Sequence, residues 1–406
     1  MTTTPVAPRA QALIDLENRF GAHNYHPLDV VAERGEGVYL WDVDGKRYMD
    51  FLAAYSAVNQ GHNHPRIGAA VKEQVDRLAL TSRAFRNDRF PPLLEKLCTL
   101  TGFDKALMMN SGAEAVETAL KAMRKWGYDV KGIPYPEAEI VVFDGNFHGR
   151  TTTIVGFSTD PDSTSRFGPF TPGFKIVTYG DLEAVRAAIG PKTCAVFVEP
   201  IQGEGGVVIP PAGFIPGLRK LCDEHKILLV LDEIQSGLGR TGKLFAFEHA
   251  GIRPDGITIG KALSGGFYPV SAFLASDAVM NVFTPGIHGS TYGGNPLACA
   301  IASAALDVLV EEKLVERAAE LGQHLSQRLN ALGSPLVKEV RCLGLWAGIE
   351  LKPEAGGARQ YCYKLKDRGM LCKDTHVNTI RLAPPLVITK EQLDWAVDQL
   401  KDVLAG

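Results

Sequence analysis

Six short apolar runs constrain what this chain can fold into more than any other feature. They are "KALMMN" (105–110), "AEIVVF" (138–143), "FKIVTY" (174–179), "CAVFVEP" (194–200), "ILLVLDE" (227–233) and "GITIG" (256–260). Runs this rich in Val, Ile and Leu, without the polar alternation of a half-exposed strand, fit strands buried on both faces. Several intervals between them have helical periodicity. Ala113–Trp126 repeats apolar positions at Val116, Leu120 and Met123, and Leu182–Ile189 and Phe214–His225 lie between later runs. The alternation predicts an α/β architecture built on a mostly parallel sheet covered by helices.

The ends of the chain read differently. Val38–Phe51 resembles a hairpin around Asp44-Gly45, and residues after about 310 mix long helices with short strands. At 406 residues the chain is long for a single core. The expected organisation is an N-terminal segment (1–60), a large domain (61–305) and a C-terminal segment (306–406), the two termini combining into a smaller α+β domain.

Composition narrows the function by exclusion. A net charge of −3 provides no basic field for nucleic acid or an anionic membrane. The apolar run Ala298–Val310 is broken by Asp307 and is too short to span a bilayer. The first twenty residues lack the apolar core of a signal peptide. Seven cysteines without a C-x-x-C pair point to a reducing compartment and mostly buried thiols. A cytoplasmic enzyme is expected. His62 and His64 in "GHNHP" have no third ligand at zinc-like spacing, so a turn is expected there and no metal.

The stretch "VLDEIQSGLGRTG" (230–242) contains a literal G-x-G-x-x-G. A dinucleotide-binding loop turns straight from strand into helix, with an acid roughly 20 residues further on. Here five residues separate strand from glycine, and "KLFAFEHAG" leaves no room for the helix before Pro254. A flexible turn beside the sheet is the expected role of these glycines, with a nicotinamide oxidoreductase as the competing class. Asp232 is more informative, because the carboxyl end of a strand is where open α/β sheets place ligand-binding groups. Lys261 follows the next strand between glycines that leave it room to react. Upstream, Ser111-Gly112-Ala113 open a helix after "ALMMN", where free amides and the helix dipole suit a phosphate; Ser111 and Glu114 also fit a capping box, and the two roles are compatible. A phosphate cradle, an acid and a lysine are together what pyridoxal 5'-phosphate requires: the lysine to bond to it, the acid to keep its ring nitrogen protonated, the helix end for its phosphate.

With those residues in place, a resemblance adds to the reading. "LVLDEIQSGLGRTG", "RPDGITIGKALSGGFYPVSAFLAS", "HGSTYGGNPLACA", "NSGAEAVETALKAMRKW", "FHGRTT" and "VEPIQGEGGV" are similar to the class III, fold-type I pyridoxal-phosphate aminotransferases over roughly residues 20–400. "GAHNYHPL", "AAYSAVNQGHNHP" and "LTSRAF" resemble the ornithine-specific branch, whereas acetylornithine enzymes usually have glycine where Tyr55 stands. The resemblance implies a seven-stranded, mostly parallel sheet. It implies transfer of the δ-amino group of L-ornithine to 2-oxoglutarate, with acetylornithine or another ω-amine as the alternative donor. It also implies a homodimer with shared sites. By the same resemblance Lys261 carries the cofactor and moves protons, Asp232 faces the ring nitrogen, Gln235 the ring oxygen, and Phe147 stacks on the ring. Ser111, Gly112 and Ala113 hold the phosphate with Ser290 and Thr291, Thr291 coming from the partner subunit. Arg150 would take the substrate α-carboxylate beside Tyr25 and Tyr55, and Arg381 a second carboxylate, with Glu204 its internal counter-ion. His148 departs from the tryptophan of animal ornithine enzymes and matches the wider class.

Overall fold

The computed structural model describes residues 6–405. Its centre is a seven-stranded sheet of β1 (Lys105–Met109), β2 (Glu139–Phe143), β3 (Phe174–Val177), β4 (Thr193–Val198), β5 (Leu228–Asp232), β6 (Gly256–Ile259) and β7 (Ser271–Ala275), in the order β1-β7-β6-β5-β4-β2-β3. Strands β6, β5, β4, β2 and β3 run parallel, and β7 lies antiparallel between β1 and β6. Ile140, Val196, Leu229, Val230, Leu231 and Ile257 are fully buried, as expected for strands covered on both faces. Sequence reading identified six of the seven. The run it missed, "SAFLA", has too few large aliphatic residues to stand out, yet every residue of it is buried.

Helix α1 (Gly112–Asp129) packs across β7, β6 and β4 on one face through Val116, Ala119, Leu120 and Met123, while α2 (Phe214–His225) covers β4 and β5 on the other. Met370–Leu371 pairs in parallel with Arg47–Asp50, completing a four-stranded sheet with Ala32–Glu36 and Tyr39–Asp42. A second small sheet, in the order Val337–Cys342, Ala347–Leu351, Thr379–Leu382, Lys373–Thr375, lies entirely in the C-terminal part. No helix among the described residues is long and apolar enough to cross a membrane.

The glycine-rich stretch after β5 corrects the expectation of a flexible turn. Residues 235–242 are buried throughout. Gly242 has φ +83°, and a Cβ there would stand 2.7 Å from the Ala319 Cα in the helix Leu314–Asn330. Arg240 is wholly buried and donates to the carbonyls of Leu345 (2.8 Å) and Pro384 (2.7 Å) and to the Asn59 side chain. Burial, reinforced by Arg381, pushes its guanidinium down to about 9. The loop is a rigid joint between the large sheet and the C-terminal part, and only a short 3₁₀ turn (Ala246–Ala250) follows it.

Candidate active site

The chemistry-bearing residues converge because the parallel strands share one carboxyl edge. Asp232 ends β5, Lys261 follows β6, and Asn110-Ser111 link β1 to α1. Phe147, His148 and Arg150 lie on the loop after β2, and Glu199 and Glu204 follow β4. Antiparallel β7 brings its amino end to the same edge, where the Ser271 hydroxyl donates to the Ser111 carbonyl (2.7 Å).

Asp232 is buried and fully engaged on its own side of the site. Its Oδ1 accepts from Thr258 Oγ1 (2.9 Å) and the Ile234 amide (3.1 Å), and its Oδ2 lies 2.6 Å from His148 Nδ1. A carboxylate only accepts, so Nδ1 carries the proton and His148 fixes the carboxylate in place. The imidazole sits against Phe197 (centroids 4.4 Å apart), and its Nε2 is buried with no partner among the described residues. The neighbouring Glu233 points elsewhere, accepting from Ser236 and the amides of Ala246 and Phe247, and burial pushes it up to about 7. Of the acidic pair, Asp232 faces the site and Glu233 holds the joint. Glu199, raised to about 7 chiefly by burial, receives the Phe147 amide at 3.0 Å and so fixes the loop that carries Phe147.

Lys261 is partly buried and has φ +41°, a left-handed conformation strained for a side-chain-bearing residue. Burial lowers its pKa, against the attraction of Glu204 and Asp232, which favours the neutral, nucleophilic amine. At the start of α1 the capping box is complete: the Ser111 hydroxyl accepts from the Glu114 amide, and Glu114 accepts from the Ser111 amide at 2.7 Å. Burial opposes charge on Glu114, but hydrogen bonds from Ser111 and Asn110 outweigh it and hold its pKa below the usual range. Ser111 is thus already occupied. The amides of Gly112 and Ala113 have no acceptor among the described residues and remain open to an anion. Ser290 accepts from Asn110 Nδ2 (2.9 Å) in the same chain, while Thr291 is exposed.

On the opposite wall, Arg381 is wholly buried. Its Nη1 donates to Glu204 Oε1 at 2.5 Å and to Gln235 Oε1 at 3.3 Å. Its Nε and Nη2 are buried and have no partner among the described residues. Burial alone would raise Glu204; the guanidinium overrides that and holds the carboxylate below its ordinary range. The Arg381 Cζ lies 4.8 Å from the Tyr55 ring centre. Tyr55 belongs to a left-handed turn in which Ala53, Ala54, Tyr55 and Ser56 all have positive φ, at a cost of roughly 1 kcal/mol or more per residue. Arg150 is exposed and stands 5.7 Å from the Phe147 ring, and Tyr25 is 69% exposed but near enough to Tyr55 to raise its pKa further, after burial and Glu204.

These donors fit pyridoxal phosphate: a lysine biased toward its neutral form, a buried carboxylate held by three donors, and two open amides at a helix start. Sequence alone does not disclose the work of His148, Glu199 and Thr258: "FHGRTT" carries the histidine, but only folding brings it to Asp232. His62 and His64 bind separate acids, Asp50 (2.8 Å) and Glu312 (3.3 Å).

Known proteins resemble this chain over nearly its whole length. The model of the aminotransferase class-III family matches residues 20–404. An ornithine aminotransferase of Bordetella pertussis is 60% identical over 98% of this chain and 97% of its own, and one of Brevibacillus brevis 53% identical over 98% of each. Among solved structures, the ornithine aminotransferase from Toxoplasma gondii ME49 superposes with a TM-score of 0.96 at 43% identity, covering 97% of this chain and 94% of that one. An acetylornithine aminotransferase from Elizabethkingia anophelis superposes at 0.88 with 48% identity, covering 97% and 98%. With the family model spanning nearly its whole length, this chain belongs to the class III aminotransferases, enzymes that work with pyridoxal phosphate.

Proposed function

We propose that this chain transfers the δ-amino group of L-ornithine to 2-oxoglutarate, yielding glutamate 5-semialdehyde and glutamate. The observation that carries the reading is Arg381: a buried guanidinium with one nitrogen on Glu204 and an Nε–Nη2 edge, shaped for a carboxylate, that has no partner among the described residues. An enzyme that takes an amine from the far end of ornithine must keep such an arginine from seizing the donor's α-carboxylate, yet must expose it to the second substrate. Glu204 provides that cover.

Pyridoxal phosphate supplies a carbonyl carbon that takes up the amino group and a ring that withdraws electrons from the reacting carbon. Gly112 and Ala113 would hold its phosphate, Asp232 its ring nitrogen, Gln235 its ring oxygen, Phe147 its face, and Lys261 its carbonyl carbon. With its amine biased toward the neutral form, Lys261 Nζ would serve as the base that takes a proton from the donor's δ-carbon. Arg150 orients ornithine by its α-carboxylate, with Tyr25 and Tyr55 beside the free α-amino group. When 2-oxoglutarate enters, Arg381 leaves Glu204 and grips the carboxylate next to the keto carbon, while Arg150 takes the distal one. In a dimer, the exposed Thr291 would complete the partner's phosphate site. A cytoplasmic location accords with the free cysteines.

A donor panel of ornithine, acetylornithine, lysine and 4-aminobutyrate tests the assignment. Ornithine is expected to give the highest kcat/KM; preference for acetylornithine would replace it with the activity named for the Elizabethkingia protein. Glu204→Ala should leave Arg381 permanently uncovered. In single-turnover half-reactions it is expected to process glutamate faster and ornithine more slowly, moving their ratio by about tenfold or more. A parallel fall in both half-reactions would make Glu204 merely structural.

Tyr55 is the specificity position. Tyr55→Gly removes the ring that closes the pocket and places glycine where the backbone already has φ +60°. Relief of strain offsets lost packing, so the melting temperature should change little. Donor preference is expected to move about tenfold toward acetylornithine or 4-aminobutyrate. An unchanged preference would reduce Tyr55 to a packing residue.

A further inference from the structure

When Arg381 turns to a substrate carboxylate, Glu204 loses its partner inside a largely desolvated site, and an unpaired carboxylate there is costly. One further cation stands by. Lys373 lies on the strand Lys373–Thr375, directly opposite Arg381 across the antiparallel pair with Thr379–Leu382. Two like charges opposed across strands are unfavourable unless an anion lies between them. Both cations lie over the same Tyr55 ring, Lys373 Nζ at 5.6 Å from its centre and Arg381 Cζ at 4.8 Å. Two residues along the strand, on the same face as Lys373, the Thr375 hydroxyl donates to the Glu204 carbonyl and ties the strand to the backbone of that glutamate. The intervening Asp374 is paired with Arg359 (3.3 Å), and among the described residues no carboxylate lies within 4 Å of Lys373.

We infer that Lys373 is a positioning residue that receives the Glu204 carboxylate when Arg381 is engaged by 2-oxoglutarate, an inference that rests on the switch proposed above. The carboxylate then alternates between two cations rather than between a cation and nothing. The charge count of the site stays level in both half-reactions, and release of Arg381 costs less. Lys261 is the other cation near Glu204, but pairing there would hold its amine protonated and remove the base that the reaction needs. Lys373 has no such competing task.

The test uses the cofactor-loaded enzyme in single-turnover half-reactions with ornithine and with 2-oxoglutarate, for Lys373→Met, Lys373→Arg, Glu204→Ala and the Lys373→Met/Glu204→Ala double variant. Lys373→Met is expected to weaken 2-oxoglutarate saturation about tenfold while changing the ornithine half-reaction less than about twofold, because only the uncovered state of Arg381 loses population. Lys373→Arg should restore most of the loss. In the Glu204→Ala background, Lys373→Met should have no further effect. Equal losses in both half-reactions, no loss in either, or failure of arginine to rescue would overturn the inference. So would a full tenfold effect persisting without Glu204, which would mean that Lys373 attracts the substrate directly. If Glu204→Ala alone leaves the two half-reactions in their wild-type ratio, it is the switch itself that fails, whatever Lys373 does.

Discussion

Lys261→Ala is expected to abolish turnover, lowering kcat by about 10⁴-fold or more while the protein still folds and still binds pyridoxal phosphate. The geometry explains the size of the effect. Lys261 leaves β6 in a left-handed conformation that aims it along the carboxyl edge of the sheet, and burial biases its amine toward the neutral form. Among the described residues no other lysine has that combination of position and lowered pKa, so no neighbour should substitute for it as base. Alanine accepts the same backbone conformation no better than lysine does, so the variant should not gain or lose much stability from φ. The phosphate and ring contacts proposed for the α1 amides, Asp232 and Phe147 would stay in place. Borohydride treatment of the wild type, which makes a lysine–cofactor bond permanent, should tag the peptide containing Lys261 and no other. A tag on a different lysine, or a variant retaining a substantial part of wild-type turnover, would refute the assignment.

What was legible in the sequence followed from local signals. Strands β1 to β6 announced themselves as aliphatic runs, and α1 by its spacing and capping box. The Asp232 and Lys261 positions followed from where those strands end. The antiparallel strand β7 gave no such signal: Ser271, Ala272 and Ala275 are small enough to be buried between β1 and β6 without looking like a core strand. Long-range partnerships were equally silent. Arg240 reads as one charge in a glycine loop until folding delivers the carbonyls of Leu345 and Pro384, more than a hundred residues away. Nor does "AAYS" signal its own conformation, because alanine ordinarily avoids the left-handed region that four consecutive residues adopt here. That strain is imposed from outside: Asp50 Oδ1 accepts from the amides of Leu52 and Ala53 (2.8 and 3.0 Å), and Tyr55 is held under Arg381. The glycine pattern reads as a flexible turn, and nothing local signals that Gly242 packs closely against Ala319.

Asp232→Asn should produce the second large effect, a fall in kcat of about 10³-fold in an enzyme that folds and retains its cofactor. Asparagine preserves the shape, and its carbonyl oxygen can still accept from Thr258 and the Ile234 amide. Its amide nitrogen, however, would face His148 Nδ1 at a separation now bridged by a proton on the histidine. Two donors cannot share that contact. His148 must either move its proton to Nε2, which is buried without a partner among the described residues, or rotate against Phe197 and Phe157. Either adjustment costs about 1–3 kcal/mol, the ordinary penalty for a buried polar group left unpaired. A drop of several degrees in melting temperature is therefore expected, modest beside the loss of activity. The activity loss has a different origin. Without the full negative charge proposed to face it, the ring nitrogen would no longer be held protonated, and electron withdrawal from the reacting carbon would weaken. His148→Gln separates the two effects, because its amide can still donate to Asp232 while leaving the carboxylate charged. It should retain far more activity than Asp232→Asn, with the proton-transfer step slowed by less than about tenfold. Near-normal turnover in a folded, cofactor-loaded Asp232→Asn enzyme would remove Asp232 from the chemistry and leave it as a structural acceptor for His148 and Thr258.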